Sequence, residues 1–85
     1  MTVGNRLGLH ARAAAQLVRL AKTFESSVSL SRLDGPTSAD AKSILALLTL
    51  AASQGAELKI VVDGLDEAKA LDAVKALFDE NFGED

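Results

Sequence analysis

The sequence predicts an α+β fold of two layers, with helices covering one face of a mainly antiparallel sheet, and three observations lead there. Strand-like alternation and helix-like spacing of apolar residues follow one another in the order β-α-β-β-α-β-α, which makes four strands and three helices. Asp34-Gly35-Pro36 has the chemistry of a tight turn, so the second and third strands form a hairpin rather than a crossover. The chain has 85 residues, 48% of them hydrophobic, enough for one modest core and too few for two, so residues 1–85 are read as a single domain. This order of elements is shared by several two-layer folds, and the pattern alone does not choose among them.

Thr2-Val3-Gly4-Asn5-Arg6-Leu7 reads as a short strand followed by a bend, and a sheet edge is where so short a strand is tolerated. From Ala11 to Thr23 the apolar residues Ala14, Leu17, Val18 and Ala21, with Phe24 just beyond, recur at spacings of three and four, which predicts an amphipathic helix. Ser27 to Leu33 alternates, placing Val28, Leu30 and, after one slip, Leu33 on a covered face. After the turn, Thr37 to Ala39 returns as a short antiparallel strand.

A second helix is expected from about Ser43 to Ala52, with Leu47, Leu50 and Ala51 facing the core. Ile44, Leu45 and Leu48 then form a separate patch that one helix face cannot also bury, and an exposed apolar patch on a small domain marks a docking surface. Gln54-Gly55 ends this helix, and Glu57 to Asp63 is a strand with Leu58, Ile60 and Val62 on one face. Beyond a turn at Gly64, Asp66 is the expected N-cap of a helix reaching Asp79, whose core face uses Ala70, Leu71, Val74, Leu77 and Phe78. Phe82 extends that contact, and Gly83-Glu84-Asp85 is expected to fray.

Composition excludes several functions. There is no cysteine and only one histidine, so neither disulfides nor a transition-metal site is expected. The longest apolar run, Ile44 to Leu48, is too short to cross a bilayer. Arg6, His10 and Arg12 interrupt the start of the chain, so a signal peptide and membrane insertion are not expected. Residues 1–24 carry Arg6, Arg12, Arg19 and Lys22 with no acid, whereas residues 66–85 carry seven acids against Lys69 and Lys75. The basic third would steer an acidic partner or a phosphate donor, and the acidic third would repel nucleic acid. With three aromatic residues, all Phe, stacking platforms for single-stranded nucleic acid are lacking as well.

The stretch Gly8-Leu9-His10-Ala11-Arg12-Ala13-Ala14-Ala15 puts the only histidine against a helix start. The run after His10 consists of strong helix formers, so its first-turn N–H groups lack intrahelical partners and suit an anion. The helix dipole and Arg12 both oppose a positive ring, leaving the imidazole a neutral nucleophile whose acquired phosphoryl group backbone N–H groups and a guanidinium would hold. A lone histidine is more commonly an unremarkable surface or core residue. The surrounding sequence decides the matter.

That stretch resembles the signature Gly-hydrophobic-His-Ala-Arg-Pro-Ala-Ala of the HPr family, the histidine-containing phosphocarriers of the bacterial phosphoenolpyruvate:sugar phosphotransferase system, at seven of eight positions. Two further family motifs follow in the family's order: a hydrophobic helix opened by Lys-Ser, here Ala41-Lys42-Ser43-Ile44-Leu45, and Gln54-Gly55 before a strand leading to Gly64-Leu65-Asp66-Glu67. The resemblance implies an HPr-like two-layer sandwich, a four-stranded mainly antiparallel sheet covered on one face by three helices. It also implies that His10 accepts a phosphoryl group from phospho-enzyme I, ultimately from phosphoenolpyruvate, and passes it to an enzyme IIA domain for sugar uptake. The attacking atom in the family is the ring nitrogen nearer the backbone. Arg12 would act beside His10 as the second catalytic residue, with Ala11, Arg12 and Ala13 around the phosphoryl group. Ala15, Arg19, Lys22, Ile44, Leu45 and Leu48 would meet partners.

Ser43 matches the family's regulatory serine, the target of an HPr serine kinase/phosphorylase in some bacteria, although a serine there serves equally as a helix cap. The expected protein is a cytoplasmic monomer without cofactor or metal, a carrier rather than a free-standing enzyme. The alternative is an HPr-like regulatory module whose phosphorylation state controls a partner instead of transport. Two departures stand out: Ala13 replaces the family's proline, which loosens the first helical turn, and the first strand is shorter than the family's.

Overall fold

The alternation of Val28 and Leu30 with Ser27, Ser29 and Ser31 makes β1 (Ser27–Arg32) a strand with one dry face, and β1 lies at the centre of the sheet. In the computed structural model, which describes residues 1–84, β1 pairs antiparallel with β2 (Ser38–Asp40) on one side and with β3 (Leu58–Asp63) on the other. The hairpin register sets Leu30 opposite Ala39, and the β1–β3 register sets Leu30 opposite Ile60 and Val28 opposite Val62. Apart from the exposed Val61, the apolar residues of all three strands thus share a face. Helices α1 (Ala11–Ala21), α2 (Ile44–Leu50) and α3 (Glu67–Asp79) cover it, and a short 3-10 turn, Asn81–Gly83, follows α3.

Leu17, Leu30, Leu47, Leu50, Leu58, Val74, Phe78 and Phe82 fill the interior, each leucine contributing about 1.5–3 kcal/mol by burial. Leu9 N–H donates to the Ala52 carbonyl (2.8 Å), and Lys42 Nζ donates to the Phe24 carbonyl (3.0 Å). The start of α1 therefore lies by the end of α2, and the end of α1 by the start of α2. The two helices run antiparallel.

The sheet has three strands, not the expected four. Thr2 forms a single antiparallel bridge to Glu57, although Met1 and Leu58 exchange two 2.7 Å hydrogen bonds and Val3 donates to the Ala56 carbonyl (2.9 Å). Residues 1–3 thus run along the free edge of β3 where an edge strand was expected. They leave it at Gly4, because Asn5 is drawn into a buried position beside Gly8. Three smaller expectations also fail. Leu33 lies beyond the end of β1 and is exposed. Helix α2 stops at Leu50, Ala51 takes a left-handed conformation (φ 54°) in solvent, and Ala52 is buried in its stead. Helix α1 closes at Ala21, with Thr23 and Phe24 donating to the Leu20 and Ala21 carbonyls in tighter turns.

Asp66 occupies the N-cap position of α3 but makes no capping hydrogen bond with its side chain. Its carboxylate instead accepts from the N–H groups of Glu25 (3.0 Å) and Ser26 (2.9 Å) and from the Ser26 hydroxyl. Those donors, the hydroxyl foremost, hold the carboxyl down to about 2 and tie the loop after α1 to the loop before α3.

Candidate functional site

Gly8 prepares the site. It sits at φ +67°, in the left-handed region, and a Cβ there would lie 2.6 Å from the Ala52 carbonyl oxygen. Only glycine accepts both the conformation and the contact. The backbone then turns so that Leu9 enters the core and His10, extended at φ −79° and ψ −178°, becomes the N-cap of α1. The end of α2 that supports this turn is itself held by Arg32, whose guanidinium donates to the Ala51 carbonyl (2.9 Å) while paired with Asp34.

The capping function belongs to the imidazole. Arg12 N–H donates to His10 Nδ1 (3.2 Å), so Nδ1 carries a lone pair and the ring proton resides on Nε2. Nε2 in turn donates to Glu84 Oε1 at 2.6 Å. The same carboxylate oxygen accepts from Asn5 Nδ2 (2.8 Å), and Asn5, completely buried, also donates to the Gly8 carbonyl (2.7 Å). The hydrogen bond from His10 is the main reason that the Glu84 carboxyl stays below its usual range, with the Asn5 hydrogen bond and the Arg12 charge adding to it. His10 keeps 24% of its side-chain surface in solvent, enough for Nδ1 to be approached.

The expected phosphoryl-binding residues divide. Ala11 and Arg12 are exposed, and the first turn of α1 contains no acid to compete with an incoming anion. The Ala13 side chain is completely buried in the core, so what this residue can offer a phosphoryl group is its first-turn backbone N–H. Among the expected partner-facing residues, Arg19 and Lys22 are exposed and Ala15 is half-buried. Ile44, Leu45 and Leu48 are 43%, 72% and 39% exposed, the solvent-facing apolar patch that helix periodicity requires. Ser43, half-buried, caps α2 by accepting from Ala46 N–H (3.2 Å). No group of three or more metal-ligating side chains occurs among the described residues.

Glu84 belongs to the tail expected to fray. The structure instead bends the chain back through three successive left-handed residues, Asn81 (φ 54°), Phe82 (φ 57°) and Gly83 (φ 73°). Phe82 drives this return: it is buried edge-to-face on Phe78 with ring centroids 4.9 Å apart, and its carbonyl accepts from Gln16 Nε2 (2.9 Å). Gly4 leaves room, since a Cβ there would collide with the Asn81 amide. The signal was present in the pairing of Asn81 and Gly83, the types that best tolerate positive φ, around an apolar residue beyond the helix end. Asp85 of the expected frayed tail lies outside the described residues.

The chain as a whole is similar to known proteins. Residues 1–80 match the family model described as the PTS HPr component phosphorylation site. The chain is 45% identical over 85 residues to the phosphocarrier protein HPr of Xylella fastidiosa and 44% identical over 85 residues to the phosphocarrier protein NPr of Proteus mirabilis, covering all of this chain and 93% of each relative. The crystal structure of HPr-C-His from Thermoanaerobacter tengcongensis superimposes with a TM-score of 0.92 at 35% identity, over 100% of this chain and 93% of that one. The three-helix, antiparallel-sheet architecture is thus that of a known group, and the chain belongs to the HPr/NPr phosphocarrier family of the phosphotransferase system.

Proposed function

We propose that this protein carries a phosphoryl group on His10, taking it from phospho-enzyme I and delivering it to an enzyme IIA domain in sugar uptake. The observation that carries the reading is the tautomer held at the start of α1: the Nδ1 lone pair lies at the helix start, where it accepts from Arg12 N–H, while Nε2 is engaged by Glu84. In the transfer, the Nδ1 lone pair forms the N–P bond as the donor's bond to phosphorus breaks and its electron pair remains on the donor. The Arg12 N–H that now meets Nδ1 at 3.2 Å is then free to donate to a phosphoryl oxygen, and the guanidinium offers two-point neutralisation of the moving charge. Proximity in the docked complex supplies the remainder, which is why a carrier needs no deep substrate cavity of its own.

The apolar patch Ile44, Leu45 and Leu48, flanked by Arg19 and Lys22, suits docking to an acidic surface with an apolar centre, and this is the face assigned to enzyme I and to the enzyme IIA domain. Ser43, the first residue of this face, is assigned as the target of an HPr serine kinase/phosphorylase. The protein is assigned to the cytoplasm as a monomer. Incubation with phosphoenolpyruvate and enzyme I, followed by intact-mass measurement, should add one phosphoryl group that is lost in acid and stable in base, as a phosphoramidate is. His10→Ala should add none, and an undiminished label in that variant would remove His10 from the mechanism. Transfer onward to an enzyme IIA domain separates a sugar carrier from a module whose phosphorylation only signals.

A further inference from the structure

We infer that Glu84 is a positioning residue for phosphoryl transfer: held by Asn5, it fixes the ring proton of His10 on Nε2 and so keeps Nδ1 the nucleophile. The inference rests on His10 being the phosphoryl acceptor. It goes further by giving the acidic end of the chain a part in the chemistry.

Three observations support it. The Nε2–Oε1 distance of 2.6 Å is that of a charge-assisted hydrogen bond, and the acceptor is the same oxygen that Asn5 Nδ2 anchors at 2.8 Å. Asn5 is completely buried, so the carboxylate is aimed from inside the protein rather than wandering on its surface. The backbone that delivers Glu84 holds Phe82 at positive φ, a conformation that a bulky L-residue avoids and that persists only where surrounding contacts over-determine it. The charged groups acting at the imidazole and its carboxylate are Arg12 from α1 and Glu84 itself, and Asn5 contributes a neutral donor.

The chemistry follows from where the proton is. In the inward step Nδ1 supplies the electron pair of the new N–P bond, and the positive charge that spreads over the ring is met by Glu84 at Nε2. In the outward step the N–P bond breaks and its electron pair returns to Nδ1. With the proton retained on Nε2, the leaving group is neutral imidazole and not imidazolate, a far poorer leaving group. One contact therefore assists both directions.

The test is nitrogen-detected NMR of His10 in unphosphorylated wild type, Glu84→Ala and Glu84→Gln, alongside the rate at which each phosphorylated protein passes its group to an enzyme IIA domain. Wild type should show a single tautomer with an unprotonated Nδ1. Glu84→Ala leaves the Arg12 N–H as the one group favouring this tautomer, so it should show a detectable share of the second tautomer and an outward rate lower by about tenfold or more, the effect of one charge-assisted hydrogen bond. Glu84→Gln keeps an acceptor oxygen in the same shape, so it should retain the wild-type tautomer and lose rate only in part. A purely structural role would leave the tautomer unmoved in all three. An unchanged tautomer with a wild-type rate in Glu84→Ala would overturn the inference, and should that variant not fold, a wild-type rate in Glu84→Gln would do so. The tautomer is read without any phosphoryl group, so failure of His10 to take label would overturn the carrier reading separately.

Discussion

Two helix starts in this small domain are built from similar parts and put to opposite uses. At the start of α3, Asp66 turns its carboxylate away from its own helix and binds the N–H groups of Glu25 and Ser26, a knot between loops. At the start of α1, His10 caps its own helix, the first turn has no acid, and the carboxylate that arrives, Glu84, comes from 74 positions away and binds the far side of the ring. In the first case the anion's donors are all satisfied inside the fold, which makes stability. In the second, Ala11 and Arg12 remain exposed at a helix start beside a nucleophilic nitrogen, which leaves electrostatic capacity for an anion supplied from outside. On the proposed function, the difference lies in whether a helix start's charge complement comes from the protein or from a substrate.

Arg12→Ala should separate the two starts most sharply. Removal of the guanidinium should slow phosphoryl transfer to and from His10 by about 10- to 100-fold, the range for a group stabilising transferring charge. The melting temperature should stay at the wild-type value, because the side chain is exposed and the cap uses the Arg12 backbone. Stopped-flow transfer kinetics beside a thermal melt would check this, and equal rates would take Arg12 out of the mechanism.

Asp66→Asn should produce the reverse pattern, a melting temperature lower by several degrees with near-normal transfer. The sign with pH is fixed by the direction of the shift. The folded carboxyl titrates at about 2, below its ordinary 3.8, so its contribution is fully present above about pH 4 and is lost as pH falls towards 2. The gap between wild type and Asp66→Asn should therefore be widest near neutrality and close on acidification. A gap that grows in acid would show that the Ser26 and Glu25 contacts are not what holds this carboxylate.

The contrast between the two starts also explains what could be read from the residues and what could not. Periodicity places every helix together with β1 and β3, because Leu17, Leu47, Val74, Leu30 and Leu58 recur with the periods of the elements that bury them, and the chemistry of the Asp34-Gly35-Pro36 turn places β2. The place of His10 at a helix start is legible because helix formers follow it, and the exposed patch because one helix face cannot hide Ile44, Leu45 and Leu48 together, whereas the capping by the imidazole is not. The direction of a carboxylate was not legible. Asp66 looked like a cap since caps are local, yet a hydroxyl and two N–H groups 40 residues earlier competed successfully for it. Glu84 was invisible for the same reason, its two partners lying 74 and 79 positions away. The missing fourth strand is a third instance, since the burial of Asn5 pulls the backbone off the edge of β3 before a ladder can form.

The start of α2 completes the comparison and carries the smallest expected effect. Ser43 is an ordinary cap, its hydroxyl accepting from Ala46 N–H at 3.2 Å, and aspartate caps as well as serine does. Ser43→Asp should thus leave the melting temperature within about two degrees of wild type. Its effect on function must be indirect, because α1 and α2 are antiparallel and Ser43 lies by the far end of α1. Eleven residues of helix at about 1.5 Å each put it roughly 16 Å from His10, too far for hydrogen bonding and largely screened. What it does adjoin is the patch Ile44, Leu45 and Leu48, where a new anion must be desolvated when an apolar partner docks and is repelled by any acidic surface matched to Arg19 and Lys22. Phosphorylation of His10 by enzyme I should accordingly slow by a few-fold in Ser43→Asp, which carries about half the charge of a phosphate. Leu48→Ala should weaken the same step by removing apolar contact area instead of adding charge. If the loss is a docking effect, both variants should raise the concentration of carrier needed for half-maximal phosphorylation while leaving the rate at saturation unchanged. A fall in the saturated rate would mean that the start of α2 communicates with His10 through the fold, and the separation of tasks between the helix starts would not hold.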